Sequence, residues 1–157
     1  MYGGAQVGLM GVVADAVLEA GGAVVGVIPR ALASKEVAHH GLTELHVVSS
    51  MHERKQMMAD LAAGFVALPG GLGTFEETLE MLTWAQLGIH RKPCGLLNVA
   101  GYFDRLLGFF DHALAERFLR DEHRAMLVVD ATPDGLLDRF ANYTPPAVPK
   151  WMDWRQT

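Results

Sequence analysis

Short apolar runs alternate with longer amphipathic stretches along most of the chain. Val24-Val25-Gly26-Val27-Ile28 is β-branched, compact and stopped by Pro29. Leu45-His46-Val47-Val48, Phe65-Val66-Ala67-Leu68, Cys94-Gly95-Leu96-Leu97-Asn98 and Met126-Leu127-Val128-Val129 follow in turn. Their length suits strands, and their continuous rather than alternating hydrophobicity predicts burial on both faces, as in a parallel sheet covered by helices. Helical periodicity runs from Leu9 to Ala20, Met51 to Ala63, Thr74 to Leu87, Tyr102 to Arg117 and Pro133 to Asn142. The repeated strand–helix order predicts an α/β fold, a doubly wound parallel sheet flanked by helices.

The two ends break the pattern. Met1-Tyr2-Gly3-Gly4-Ala5-Gln6-Val7-Gly8 reads as a glycine-rich strand-to-helix junction with almost no strand before it. A domain lacking its first strand and helix, on the order of 30 residues or more, is expected. Residues 1–143 are expected to form one nucleotide-binding domain, and 144–157 a Pro/Trp-rich tail. In that tail Pro145, Pro146 and Pro149 preclude a helix, and Trp151 and Trp154 suit either docking or a disordered end.

Composition narrows the class. At 157 residues, half of them hydrophobic, the chain suits one domain with a substantial core. A net charge of -5 argues against a nucleic-acid partner, which needs a clustered basic face. The single cysteine, Cys94, excludes an internal disulfide and suits a reducing compartment. No apolar run approaches the ~20 residues of a membrane span, and no signal peptide opens the sequence. A soluble cytoplasmic protein is expected.

The chemistry concentrates at Pro69-Gly70-Gly71-Leu72-Gly73-Thr74-Phe75-Glu76-Glu77, between a strand and a helix. Glycines there allow φ > 0 and leave no Cβ between an amide and a ligand. Free N–H groups and the helix dipole together bind phosphate. Gly3-Gly4 belongs to a second junction of the same kind, and two such loops can converge at a topological switch point. Glu76 suits the helix dipole alone. Glu77 and Glu80 share a helix face, with Glu77 about one turn (~5 Å) past the phosphate position, close to where a ribose would lie. A carboxylate there can bind ribose hydroxyls, stabilise charge at the anomeric carbon or activate water.

Met51-His52-Glu53-Arg54-Lys55 opens another helix, where the dipole disfavours cations. One reading packs Met51, Met58 and Leu61 inward and leaves the charges solvated. In the other, Arg54 clamps a phosphate or ribose through its planar fork and Met51 packs on a base. The seven histidines lack the i, i+4 spacing of a helical metal site, so no metal is expected. Cys94 reads as a small core residue, and no lysine stands out as a Schiff-base amine.

These two segments resemble the paired signatures of the Lonely Guy (LOG) family of cytokinin riboside 5′-monophosphate phosphoribohydrolases, often mislabelled lysine decarboxylases. The resemblance continues through Thr83-Trp84-Ala85-Gln86-Leu87-Gly88-Ile89-His90, Lys92-Pro93, Leu96-Leu97-Asn98-Val99 and Gly101-Tyr102-Phe103. It implies a Rossmann-like fold, a homodimer, and hydrolysis of an N6-modified adenosine monophosphate to free base and ribose 5-phosphate. Arg54 and Glu77 are then the catalytic residues. Gly70, Gly71, Gly73 and Thr74 contact phosphate and Met51 the base, while Gly3, Gly4, Lys55, Pro69 and Glu80 complete the substrate-binding set. No metal or organic cofactor is implied. The family has a third glycine where this chain has Ala5, whose methyl group would disfavour φ > 0 and crowd a ligand. A non-catalytic nucleotide or cofactor carrier of the same fold is the alternative.

Overall fold

The computed structural model describes residues 1–33 and 37–147, so the expected docking or disorder of Trp151 and Trp154 lies outside the described residues. The chain divides into two compact units, Met1–Ala62 and Ala63–Thr157.

The first unit runs α1 (Gly8–Glu19), β1 (Val25–Pro29), a single turn α2 (Arg30–Leu32), β2 (Glu44–Val48) and α3 (Met51–Leu61). β1 and β2 pair in parallel, Val25 opposite Glu44 and Pro29 opposite Val48. Tyr2 forms a one-residue parallel bridge with Gly26. Its N–H donates to the Val25 carbonyl at 2.9 Å and its carbonyl accepts from Val27 N–H at 3.0 Å. With Tyr2 and β2 both bonded to it, β1 is buried from Gly26 onward, whereas β2 is only partly covered. The continuous burial expected of every strand therefore holds for β1 and not for β2. Gly26 has a steric reason: a Cβ there would meet Gly4 Cα at 2.8 Å, so the N-terminal backbone can lie against β1 only over a glycine.

The second unit runs β3 (Phe65–Ala67), α4 (Leu72–Gln86), β4 (Cys94–Leu97), a 3-10 turn (Val99–Gly101), α5 (Asp104–Ala115), α6 (Asp121–Arg124), β5 (Leu127–Asp130) and α7 (Pro133–Ala141). Its parallel sheet has the order β3-β4-β5, with Phe65 opposite Cys94 and Cys94 opposite Leu127. The central strand β4 is buried at all four positions, as its unbroken apolar run predicts. Ala67, Leu96, Phe103 and Leu127 form the core, with Phe75 from α4 and Leu106, Leu107 and Phe110 from α5 packed on it. α7 begins with Thr132, whose hydroxyl accepts Gly135 N–H, followed by Pro133 in the first turn. The fold class is that expected, parallel sheets flanked by helices, with strand pairing shared between two sheets, one in each unit. The 3-10 turn and α6 escape the sequence pattern because three or four residues are too few to show a period.

Candidate active site

In the first unit the structure brings together two features that the sequence places 51 positions apart, Gly3 and Arg54. Arg54 lies on α3 and is only 8% exposed. Its Nε donates to the Val27 carbonyl at 3.1 Å, and Nη1 lies 3.9 Å from Met51 Sδ one turn earlier. A guanidinium stays charged in a protein, so burying it demands such partners. A Cβ at Gly3 would fall on Arg54 Nη2. Gly3 thus leaves room for the guanidinium. The solvated-face reading of α3 is overturned: Arg54 and Ala59 are its buried residues, while Met51 and Leu61 are exposed. Lys55 sits beside Arg54, half-buried.

The entry to α3 is capped in a way that the charge pattern does not suggest. Ser50 Oγ accepts Glu53 N–H at 3.1 Å, and Glu53 Oε2 accepts Ser49 N–H at 2.7 Å. These bonds from the Ser49 hydroxyl and amide hold the Glu53 carboxyl below its usual range. Glu53 is a cap, and His52 is exposed.

Gly4 takes φ +72° and so needs to be glycine. Its carbonyl accepts His39 N–H at 2.9 Å, Gln6 N–H donates to the Val37 carbonyl at 2.8 Å, and Ala5 bridges Ala38 antiparallel. Ala5 is not among the residues with positive φ, so the methyl that departs from the family pattern brings no backbone strain. His39 is buried. Its Nδ1 accepts Gly41 N–H at 3.1 Å, which leaves the proton on Nε2 to donate to Asp15 Oδ1 at 2.8 Å. Nothing in the sequence pattern marks His39 as the residue that holds this loop.

In the second unit, α4 starts two residues earlier than its periodicity predicts. Gly71 is its N-cap, in extended backbone, and Leu72, Gly73 and Thr74 form the first turn. None of Gly70, Gly71 and Gly73 has positive φ, contrary to expectation. A Cβ on Gly70 would strike Thr74 Oγ1, while a Cβ on Gly71 or Gly73 meets no atom within 4 Å. Phe75 N–H donates to the Gly71 carbonyl at 3.2 Å, closing the first helical bond. The N–H groups of Leu72, Gly73 and Thr74 precede it, have no i−4 carbonyl within the helix, and point out of the N-terminus where an anion is favoured. Pro69 leads into this turn, half-buried.

With α4 starting at Leu72, no acid lies in its first turn. Glu76 is exposed, and Glu77 and Glu80 are half-buried on the same side of the helix. The dipole-complementing role expected for Glu76 weakens accordingly.

Tyr102 is a second residue without a role in the sequence reading. Its hydroxyl donates to the Gly70 carbonyl at 2.7 Å, tying the loop to the turn after β4. Asn98 shapes that turn: Oδ1 accepts Phe103 N–H at 2.7 Å and Nδ2 donates to Asp104 Oδ1 at 2.8 Å. Cys94 lies in the core as expected, and burial pushes its thiol up to about 12. Among the described residues no group of three or more His, Cys, Asp or Glu is placed to hold a metal. No helix among them is long and apolar enough to cross a membrane.

A family model described as "Possible lysine decarboxylase" matches residues 10–140. The chain is 53% identical over 138 residues to the cytokinin riboside 5′-monophosphate phosphoribohydrolase of Rhodococcoides fascians, covering 87% of this chain and 70% of that protein. It is 48% identical over 145 residues to the enzyme of the same name from Oryza sativa subsp. japonica, covering 92% of this chain and 60% of that one. The chain thus spans between three fifths and seven tenths of the length of these curated relatives. With the family model matched over most of its length and half its residues shared with such relatives, the chain belongs to the Lonely Guy (LOG) family.

Proposed function

We propose that this chain binds a nucleoside 5′-monophosphate and hydrolyses its N-glycosidic bond, with an N6-modified adenosine monophosphate as substrate. Water adds at C1′, the bond from C1′ to the base nitrogen breaks, and free base and ribose 5-phosphate leave. The observation that carries this reading is the 53% identity to a protein named for that chemistry.

Each residue has a role consistent with its surroundings. The amides of Gly71 to Thr74 take the phosphate, with Pro69 and Gly70 setting the turn. Glu77, about 5 Å further along the axis than Thr74, stabilises the oxocarbenium-like transition state or directs water. Arg54 orients the nucleotide from a guanidinium already held by Val27. Met51, exposed at the helix start, offers a soft apolar contact to the base. Gly3, Gly4, Lys55 and Glu80 complete the substrate contacts. A cytoplasmic homodimer is part of the same proposal.

The test is incubation with AMP and with N6-isopentenyl AMP, followed by chromatography for free base and ribose 5-phosphate. Release of base from either supports the reading. Binding of both nucleotides without release would make the chain a carrier, and neither binding nor release would refute the proposal. Lysine with pyridoxal phosphate is expected to yield no cadaverine.

A further inference from the structure

We propose that Tyr102 is a positioning residue for phosphate recognition, its hydroxyl fixing the Gly70–Gly71 peptide so that the Gly71 N–H faces an anion at the start of α4. This rests on the phosphoribohydrolase reading of that loop. No cis peptide occurs among the described residues, so the Gly70 carbonyl and the Gly71 N–H point in opposite directions. A hydrogen bond at 2.7 Å from Tyr102 to that carbonyl therefore also aims the amide. Two consecutive glycines place little steric resistance on rotation of the plane between them, so the loop needs an outside tether to keep one orientation.

The same bond helps to define where the helix begins. A helix starting one residue earlier would direct Thr74 N–H to the Gly70 carbonyl. That carbonyl is instead engaged by Tyr102, and Phe75 to Gly71 is the first helical bond. The Thr74 N–H remains directed out of the helix end with those of Leu72 and Gly73. Hydrogen bonding at the carbonyl also polarises the amide and strengthens its N–H as a donor.

Tyr102 is itself held rigidly. It follows a turn in which Ala100 takes φ 51° and Gly101 φ 71°, an uncommon conformation for a residue with a Cβ. Its ring meets Phe103 edge-on at 5.0 Å, and Phe103 is fully buried and anchored to Asn98. Yet Tyr102 is 49% exposed. A residue kept for core packing would be covered, and phenylalanine would then serve as well. The hydroxyl is the part that the loop uses.

The experiment compares binding of AMP and adenosine by calorimetry in the wild type and in Tyr102→Phe. The variant should weaken AMP about tenfold, the order expected from one lost hydrogen bond, and leave adenosine unchanged. Its thermal midpoint should stay within ~2 °C. In the wild type, the Gly71 amide resonance should shift on addition of ribose 5-phosphate, a readout independent of any variant. Wild-type binding of AMP no tighter than adenosine overturns the phosphate reading and this proposal together. A wild-type preference for AMP that Tyr102→Phe leaves intact, an equal loss for both ligands, or an unmoved Gly71 amide overturns the role of Tyr102 alone.

Discussion

Gly3→Ala should reverse the sign of its effect according to what occupies position 54. A Cβ at Gly3 would land on Arg54 Nη2, with Arg54 Cζ at 3.1 Å and Met10 Cε at 2.9 Å. Met10 Cε is the end of a flexible side chain and can move. The guanidinium cannot move freely, because its Nε is bonded to the Val27 carbonyl inside the unit. Displacing it forfeits a hydrogen bond from a charged donor, about 1.5–3 kcal/mol. Gly3 does not have positive φ, so alanine also restricts the unfolded chain and returns about 0.4–1 kcal/mol. The net expectation is a loss of roughly 1–2 kcal/mol in the wild type. In an Arg54→Ala background the obstruction is gone, and the same change should stabilise by roughly 0.5 kcal/mol. Urea unfolding of the four proteins measures the cycle, with a coupling energy near 2 kcal/mol expected. Equal effects of Gly3→Ala in both backgrounds, within about 0.5 kcal/mol, would refute the contact.

Other outcomes follow from buried groups. The Cys94 thiol is pushed up to about 12 by burial, so above its ordinary value near 9 the unfolded chain ionises while the folded one does not. Stability should therefore fall by about 1.4 kcal/mol per pH unit above pH 9, a slope absent in Cys94→Val, and native protein should resist thiol reagents. His90 donates from Nε2 to the Met81 carbonyl while Nδ1 accepts Lys92 N–H, and burial holds its ring below the usual histidine range. Above pH 6.5 both states are neutral and the stability is complete. As pH falls through 6.5 the unfolded state takes up a proton first, so the urea midpoint should drop, and His90→Gln should flatten that step.

Much of the fold was legible because apolar runs such as Val24–Ile28 and Cys94–Asn98 are short, continuous and punctuated by proline or glycine. Each corresponds to a strand within a residue or two. The start of α4 was misplaced by two residues because Gly73 is a poor helix former, yet the first turn accepts it when the helix is anchored elsewhere. The glycines of both loops were recognisable as a set, but not their individual reasons. Gly4 needs its φ, Gly3 clears Arg54, and Gly70 clears Thr74. A one-dimensional pattern cannot separate these, since each depends on a neighbour distant in sequence or on one turn of helix not yet located. Arg54 fits either a solvated face or a ligand clamp by pattern, and the structure buries it with its Nε on the Val27 carbonyl, a partner 27 positions away. The His39 ring bonds to Asp15 and the Tyr102 hydroxyl to the Gly70 carbonyl, partners 24 and 32 positions away that carry no local signature.

The proposed chemistry depends most directly on Glu77. Single-turnover release of ribose 5-phosphate from N6-isopentenyl AMP, measured beside AMP affinity, should separate its role in chemistry from binding. Glu77→Gln is expected to slow release by about 10²-fold or more while AMP affinity stays within about threefold. Release at close to the wild-type rate by Glu77→Gln would contradict it.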